Sequence, residues 1–260
     1  MNNILLIDAD PFMYMDGYKE SIEEAINSIN NRLVVMLEDL QSTEFVMAFS
    51  VSRTFRHIMH PVYKANRATL EKPPLFNDIK DYFEENFEVM KAPMLEADDI
   101  VSVLSGLIEN STVCSIDKDV LHQVVGENYD FKYRKDKEGN LVIGRRVKTD
   151  HDDAAMFLHE QILMGDSTDN IQGIKGIGEK KARKILEEGI DRALPTYVKK
   201  FGTIEGTRKF NETFNLVYIK RKLDELPEVS AKAFESIPVM EIVNVDGEET
   251  FFQPSRTISL

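Results

Sequence analysis

The chain has 260 residues, 42% of them hydrophobic and 30% charged, which is ordinary for a globular protein with one large domain or a domain and a small appendage. The single cysteine excludes an intramolecular disulfide, no apolar run approaches the ~18 residues of a membrane span, and the N-terminus lacks the basic region and cleavage site of a signal peptide, so we expect a cytoplasmic protein. The net charge of −13 argues against a nucleic-acid partner, unless the acids are concentrated in a metal site and the bases are clustered elsewhere.

The N-terminal part of the chain alternates between predicted strands and predicted helices. Short apolar runs predict strands over residues 3–8, 45–50 and 111–117. Apolar residues at helical spacing predict helices over residues 21–40, 75–87 and 97–109. This order indicates a parallel sheet with helices on both faces. Active sites of such sheets lie at the carboxyl ends of the strands, where Asp8 and Asp117 stand.

The remaining elements are a hairpin, a helical region and a second hairpin. Residues 131–146 predict two strands around a Glu-Gly-Asn turn. From about residue 150 to about residue 226 the pattern is helical. In the tail, alternating runs on either side of Asp246-Gly247 predict another hairpin. We find no internal repeat.

Three acidic clusters accompany the aspartate at the end of the first strand. The candidate metal ligands are Asp8, Glu96, Asp98, Asp99, Asp117, Asp119, Asp166 and Asp169. Each cluster lies beside apolar sequence, and close carboxylates at the edge of a core raise one another's pKa. Divalent cations relieve that repulsion, and oxygen ligands without a His/Cys cluster favour Mg²⁺ or Mn²⁺ over zinc. Two such ions can activate water for phosphodiester cleavage. The alternative for any one cluster is a solvated helix face or a helix N-cap.

The segment GIKGIG at 173–178 is a glycine-rich turn between two predicted helices. Its candidate DNA-binding residues are Gly173, Lys175, Gly176, Gly178, Lys180 and Lys181. Glycines permit positive φ and a close approach to phosphate, and amides at the start of the next helix face an anion. The turn therefore predicts contact with a duplex backbone without base reading. An ordinary helix–turn–helix connection with glycine caps is the alternative.

Residues 52–67 form a basic segment with interleaved aromatic residues. No Asp or Glu occurs between Glu44 and Glu71. The candidate DNA-contacting residues are Arg53, Arg56, Tyr63, Lys64 and Arg67. Basic charge next to aromatic rings suits backbone contact and base stacking. A solvated basic loop is the alternative, and the two histidines here are more typical of polar contacts than of metal ligands.

Together, LLID, FR…HPVYKANR, MLEADDI, SIDKD and MGDSTDNIQGIKGIGEKKA resemble the 5′→3′ exonuclease / flap endonuclease family over roughly residues 3 to 190. The chain is most similar to the stand-alone phage enzymes and also resembles the 5′-nuclease domain of bacterial DNA polymerase I. The resemblance implies an α/β fold, with a PIN-like parallel sheet flanked by helices and a helix-three-turn-helix unit, similar to a helix-hairpin-helix, that contains the glycine turn. We predict a catalytic domain over 1–150, with a basic arch segment at about 52–72, and a DNA-binding region and tail over 151–260.

The resemblance also implies a function and a set of partners. The implied activity is metal-dependent, structure-selective 5′→3′ hydrolysis of phosphodiesters at 5′ ends, nicks, gaps or flaps of duplex DNA, with RNA–DNA hybrids at RNA primers as a further substrate. By position, the eight carboxylates would hold two Mg²⁺ ions, with Mn²⁺ as a substitute, and the glycine turn would hold K⁺. Tyr63, Lys64 and Arg67 would contact the scissile phosphate and the frayed 5′ end. A monomer in the cytoplasm, or in the host cytoplasm for a phage-encoded enzyme, is expected.

The chain departs from the family pattern in two places. The segment AFSVSRTFR lacks the aspartate that many relatives carry after the second strand, so one ion is held less tightly or Asp10 or water compensates. The arch between Arg67 and Pro73 is short, which favours resection from a duplex end, gap or nick over threading of a long flap. Two other functions remain open: a non-catalytic duplex-DNA-binding protein, which leaves the clustered acids unexplained, and a PIN-type ribonuclease.

Overall fold

The computed structural model describes residues 3–135, 141–245 and 249–259. The helices are α1 (Asp10–Met15), α2 (Ile22–Asp39), α3 (Phe55–Met59), α4 (Phe76–Asn86), α5 (Ala97–Leu107), α6 (Lys118–Gln123), α7 (His151–Met164), α8 (Glu179–Leu186), α9 (Ala193–Phe201), α10 (Thr203–Val217) and α11 (Glu228–Ala231). The strands are β1 (Ile4–Asp8), β2 (Glu44–Ala48), β3 (Val89–Met90), β4 (Ser111–Ser115), β5 (Gly126–Lys135), β6 (Leu141–Thr149), β7 (Gly165–Asp166), β8 (Ile171–Gln172), β9 (Ser236–Val245) and β10 (Glu249–Ser259). Among these residues, no helix is long and apolar enough to cross a membrane.

The centre of the molecule is a mixed sheet in the order β10-β9-β2-β1-β4-β5-β6, with β3 beside β2. The inner strands β2, β1, β4 and β5 run parallel. Every residue of β1 is buried, as expected for a continuous apolar strand covered on both faces. One apolar cluster packs α1, α2 and α4 on one face, and a second packs α5 on the other. The predicted α/β class, with a parallel sheet flanked by helices, is confirmed.

The carboxyl ends of the parallel strands bring the acidic clusters to one edge of the sheet. Asp8 is the last residue of β1 and pairs with Ala48 of β2. The chain leaves β4 at Ser115, so Asp117 stands just beyond the strand and caps α6 by accepting a hydrogen bond from the Asp119 amide. The strand predicted to end at Asp117 is therefore two residues shorter.

Both predicted hairpins are present as antiparallel strand pairs, β5 with β6 and β9 with β10. The predicted Glu-Gly-Asn turn and Asp246-Gly247 lie outside the described residues. Strand β9 also pairs with β2, with Met240 opposite Phe45, and so extends the central sheet. The sequence does not predict this extension, because the alternating pattern of a hairpin carries no information about which sheet its outer face joins.

The helical region that follows β6 has an apolar core of its own. Helices α7 to α10 pack around Tyr197, which is fully buried and donates a hydrogen bond from its hydroxyl to the Ile162 carbonyl at 2.6 Å. Ile174 and Ile177 of the glycine turn are buried in the same cluster as Leu216 near the end of α10. The glycine turn is therefore anchored by its isoleucines, while Lys175, Gly176 and Gly178 are exposed.

Candidate active site and nucleic-acid interface

Asp8, at the end of β1, is buried, with 3% of the residue exposed. The Ser115 hydroxyl donates to Asp8 Oδ2 at 2.7 Å, whereas the buried Oδ1 has no hydrogen-bond partner in the described part of the chain. Burial raises the pKa of Asp8 well above its usual range, and the carboxylates of Asp10 and Asp117 raise it further. The site therefore contains a negative charge that the surrounding protein does not fully compensate.

Two further aspartates share this repulsion. Burial, followed by the charges of Asp8 and Asp117, raises the pKa of Asp98 in the first turn of α5. Burial, Asp117 and Asp166 raise the pKa of Asp119 to about 7. Asp119 Oδ1 is buried without a hydrogen-bond partner among the described residues, like Asp8 Oδ1. The charges that act on these groups come from the end of β1 and from all three acidic clusters, so four parts of the sequence meet at one acidic site.

Asp10, which the sequence suggests as a substitute for the missing aspartate, belongs to this site, and so does Ser115, which is not among the predicted site residues. The Ser50 amide donates to Asp10 Oδ1 at 3.3 Å, and burial raises the pKa of Asp10. Ser115 orients Asp8 through its hydroxyl. The sequence offers a signal for both, because Asp10 lies two residues after Asp8 and Ser115 lies two residues before Asp117.

Basic and hydroxyl groups from the arch segment bind the other carboxylates. Lys64 Nζ lies 2.5 Å from Glu96 Oε1 and 3.6 Å from Asp169 Oδ2, and Arg67 donates to Asp169 Oδ1. Burial raises the pKa of Glu96, but Arg56 and Lys64 outweigh burial and lower this pKa to about 2. Lys64 has a left-handed φ of 54°, and its amide donates to the Asp169 carbonyl at 2.9 Å. The arch base is therefore tied to the carboxylates by both side chains and backbone.

The Tyr63 hydroxyl binds two of these carboxylates from the buried side of the site. The hydroxyl donates to Glu96 Oε2 at 2.8 Å and lies 3.1 Å from Asp169 Oδ2. Burial raises the pKa of Tyr63, so the hydroxyl stays protonated and remains a donor. Because the side chain is only 4% exposed, the structure corrects the prediction that Tyr63 contacts the scissile phosphate or the frayed 5′ end.

Arg56 and Asp99 form a buried ion pair, which corrects two predictions. The Arg56 guanidinium donates to Asp99 Oδ2 at 2.6 Å and to Oδ1 at 2.9 Å. Arg56 is 3% exposed and Asp99 is 0% exposed. The amides of Lys220 and Glu96 also donate to Asp99 Oδ1 and Oδ2, so with the guanidinium they occupy the acceptor positions of this carboxylate. Asp99 is therefore not a metal ligand in this arrangement, and Arg56 does not reach DNA.

The residues present fit divalent cations chemically, although they do not form a ready cage. Buried carboxylate oxygens without donors, and carboxylates that raise one another's pKa, are the ligands that hard cations require. Within the described ranges, no group of three or more His, Cys, Asp or Glu side chains is positioned to hold a single ion. Glu96 and Asp169 are instead paired with the basic side chains of Lys64 and Arg67.

The third acidic motif connects this site to the glycine turn. Asp166 and Ile171 pair across the two-residue strands β7 and β8. The Thr168 amide donates to Asp166 Oδ1 at 2.7 Å, and Asn170, with a left-handed φ of 58°, donates from its side chain to the Val62 carbonyl at 2.8 Å. This small hairpin fixes Asp166 and Asp169 against the arch base, a few residues before the glycine turn.

The glycines of the turn have different roles. Gly176 has a φ of +87°, and a Cβ added to Gly176 or Gly178 would meet no atom within 4 Å, so both glycines border open space. A Cβ on Gly173 would lie 2.1 Å from the Met164 carbonyl carbon, so Gly173 permits close packing of two backbones. This corrects the prediction that Gly173 contacts DNA. The predicted lysines Lys175, Lys180 and Lys181 are exposed, as is Arg53 in the arch segment.

Comparisons with known proteins match this geometry. The family described as "5′-3′ exonuclease, N-terminal resolvase-like domain" matches residues 3–151. A 5′-3′ exonuclease of Bacillus subtilis (strain 168) is 28% identical over 218 residues, which cover 74% of this chain and 73% of that protein. The thermostable DNA polymerase I of Thermus thermophilus is 27% identical over 224 residues, which are 75% of this chain but 26% of the polymerase.

The solved structures show the same fold at lower sequence identity. The T5 D15 protein co-crystallised with metal ions superposes with a TM-score of 0.62 at 18% identity, and the match covers 89% of this chain and 95% of that chain. The T5 5′-exonuclease with bound zinc superposes with a TM-score of 0.58 at 20% identity, over 90% and 93% of the two chains. Because the family match spans more than half of the sequence, and the fold and acidic site agree with it, this chain belongs to the 5′-3′ exonuclease family with an N-terminal resolvase-like domain.

Proposed function

We propose that this chain is a metal-dependent, structure-selective 5′→3′ exodeoxyribonuclease that hydrolyses phosphodiesters at 5′ ends, nicks, gaps or flaps of duplex DNA. The observation that supports this most strongly is the group of carboxylates that repel one another, with buried oxygens on Asp8 and Asp119 that accept no hydrogen bond from the described residues. Buried charges of one sign destabilise a fold. A protein that only bound DNA would have no use for them.

The residues that would hold two Mg²⁺ ions, or Mn²⁺ in their place, are the carboxylates on the sheet edge and on the β7–β8 hairpin. They are Asp8, Asp98, Asp117, Asp119 and Asp166, with Asp10, Glu96 and Asp169 beside them. When bound, such cations activate water and stabilise the leaving oxygen. Asp10 would offset the missing aspartate of the AFSVSRTFR segment, since its carboxylate is buried beside Asp8.

Lys64 and Arg67 would act on the scissile phosphate. Burial lowers the pKa of Lys64, but Glu96 and Asp169 outweigh burial and raise it, so the ammonium group stays charged. A phosphate that enters the site would compete with these two carboxylates for the basic side chains. The positive charges would then offset the charge that grows on the phosphate during in-line attack and would hold it against the carboxylate edge.

The glycine turn would hold the uncut duplex. The open space at Gly176 and Gly178 and the exposed N-terminus of α8 would admit a phosphate, with Lys175, Lys180 and Lys181 around it. Lys181 donates from Nζ to the Gly176 carbonyl at 3.3 Å, so the K⁺ ion of the resemblance would replace the ammonium group at this carbonyl. The contacts involve no base edges, so we expect no sequence preference.

The short arch sets the preferred substrate. Residues Ala65–Arg67 form one 3₁₀ turn, and Pro73 is already buried against Gly17, so few residues separate the basic site from α4. We therefore propose resection from a duplex end, gap or nick in preference to threading of a long flap. RNA–DNA hybrids at primers are the further substrate that the resemblance implies. We propose a monomer that acts in the cytoplasm, or in the host cytoplasm for a phage-encoded enzyme.

The test uses a 5′-labelled nicked duplex with Mg²⁺. We expect wild-type protein to release 5′ products, and Asp117→Asn to abolish cleavage while duplex binding persists. Asparagine keeps the N-cap of α6 that Asp117 provides, and Asp150→Asn, which changes the equivalent cap of α7, should cleave normally. An intact substrate after wild-type treatment would refute the nuclease function. A preference for single-stranded RNA would instead favour a PIN-type ribonuclease.

A further inference from the structure

The carboxyl end of α10 is bound by buried side chains from the catalytic half of the molecule. Arg56 donates from Nε to the Leu216 carbonyl at 3.0 Å and from Nη2 to the Tyr218 carbonyl at 2.8 Å. The last carbonyls of a helix have no partner within the helix, so side chains or water must satisfy them. Here, a side chain some 160 residues earlier in the sequence does so.

Two other polar side chains complete this contact. The fully buried Gln123 donates to the Val217 carbonyl at 2.8 Å, and its Oε1 accepts from the Ile219 amide at 3.2 Å. Asp99 Oδ1 accepts from the Lys220 amide at 2.9 Å. We name Arg56, Asp99 and Gln123 the latch. Together they bind the backbone of residues 216–220 through hydrogen bonds from α3, α5 and α6.

The latch also contacts the proposed catalytic site. Arg56 Nη1 donates to Glu96 Oε2 at 3.0 Å, and the same oxygen accepts from the Tyr63 hydroxyl. With the two bonds to Asp99 and the two to the end of α10, all five N–H donors of Arg56 are used. A guanidinium satisfied in this way has one orientation, because any rotation leaves a buried donor unpaired.

On its other side, the end of α10 is continuous with the glycine turn. Leu216 and Val217 pack in the same buried cluster as Ile174 and Ile177 of the turn. Thr213 of α10 also lies 3.4 Å from the Gln172 carbonyl, just before the turn. A displacement of the end of α10 would therefore move the surface that is proposed to hold the duplex, because packed cores transmit small shifts.

We propose that the latch sets the position of the cut by fixing the glycine turn relative to the carboxylate edge, with Arg56 as its positioning residue. This inference rests on the proposed nuclease function. Asp8, Asp98 and Asp117 lie on the sheet side of the junction, while Asp166 and Asp169 lie on the β7–β8 side with the glycine turn. The latch thus holds the two parts of the carboxylate site together. It also fixes the position of the bound duplex relative to the point of cleavage.

The experiment measures product lengths from a nicked duplex with one labelled 5′ end. Arg56→Lys keeps a positive charge beside Asp99 and Glu96 but cannot make all five hydrogen bonds. We expect the rate at the wild-type position to fall by roughly 10²-fold, since a shift of about 1 Å in a reacting group has that effect, and products of neighbouring lengths to appear. Arg32→Lys is the matched control, because Arg32 is 1% exposed and pairs with Asp16 away from α10.

The outcomes separate the latch from the proposed function. If wild-type protein does not cleave, the nuclease proposal fails. If wild-type protein cleaves and Arg56→Lys gives an unchanged product distribution, the latch proposal alone is overturned. Gln123→Met removes the bonds to Val217 and Ile219, and also one to Gln161, but touches no proposed catalytic group, so it decides the matter if Arg56→Lys does not fold. An unchanged cleavage position in a folded Gln123→Met protein would then overturn the latch.

Discussion

Replacement of one proposed metal ligand should stabilise the protein when no divalent cation is present. Burial, Asp117 and Asp166 raise the pKa of Asp119 from 3.8 to about 7. A difference of about three pKa units corresponds to about 4 kcal/mol of destabilisation once the carboxylate is charged. Asparagine at this position avoids that cost but loses a negative charge in the first turn of α6, which is worth less than about 1 kcal/mol. We therefore expect Asp119→Asn to raise the free energy of unfolding by about 3 kcal/mol at about pH 8.

The pH dependence follows from the direction of this pKa shift. The pKa of Asp119 is higher in the folded protein than in the unfolded chain, so the folded state holds a proton between 3.8 and about 7 that the unfolded state has released. The stability contributed by this group is fully present below about pH 4 and is lost as the pH rises through about 7. The advantage of Asp119→Asn should therefore shrink to a small fraction of its value at about pH 4.

Urea unfolding in the presence of a chelator, at about pH 8 and about pH 4, measures the difference in free energy of unfolding between Asp119→Asn and the wild type. Asp152→Asn is the control, because Asp152 is an exposed aspartate in the first turn of α7, where loss of the charge should cost less than about 1 kcal/mol. Added Mg²⁺ should stabilise the wild type more than Asp119→Asn, and so should reduce or reverse the difference in their free energies of unfolding. If Asp119→Asn is no more stable than the wild type at about pH 8 without cations, the argument from repelling carboxylates is wrong.

Three further changes test other parts of the structure. Gly173→Ala should lower the free energy of unfolding by more than about 4 kcal/mol, because its Cβ would collide with the Met164 backbone. Gly176→Ala should lower it by about 1–2 kcal/mol and mainly weaken duplex binding. Thermal unfolding and a binding titration distinguish the two variants. Lys64→Met should lower the cleavage rate by at least roughly 10²-fold with unchanged duplex affinity, measured in single-turnover assays. Deletion of 236–259 should expose the edge of β2 and cause aggregation, which size-exclusion chromatography detects.

The sheet and its acidic edge could be predicted because both depend on local patterns. An apolar run that ends in an aspartate predicts a buried strand with a carboxylate at its end, and Asp8 occupies that position. Parallel strands bring such ends together wherever they occur in the chain. This rule brings Asp8 and Asp117 together, and the charge of Asp117 accordingly raises the pKa of Asp8.

The wrong assignments share a physical cause, which is a partner distant in sequence. Arg56 lies in an exposed-looking basic stretch, and only the fold brings it to Asp99, 43 residues away. Within LEADDI, Asp98 and Asp99 are chemically identical, and the helix turns one towards the carboxylates and the other towards Arg56. Gly173 and Gly176 are likewise identical in the sequence but differ in the structure. Gly173 is packed against backbone, whereas Gly176 has a positive φ and borders open space.

Contacts between the arch and the carboxylates link substrate binding to cation binding. Lys64 and Arg67 neutralise Glu96 and Asp169, so these carboxylates are weak ligands while the bases remain in place. Under the proposed function, a phosphate that draws Lys64 and Arg67 away removes positive charge from beside both carboxylates, while Arg56 stays paired with Glu96, and this raises the affinity of the two carboxylates for a divalent cation. Because linkage is reciprocal, bound cations must raise the affinity for the phosphate by the same factor. A protein with a negative net charge can therefore bind DNA at this site. Its basic side chains neutralise its own carboxylates in the free protein, and in the complex the phosphate binds the basic side chains while cations bind the carboxylates.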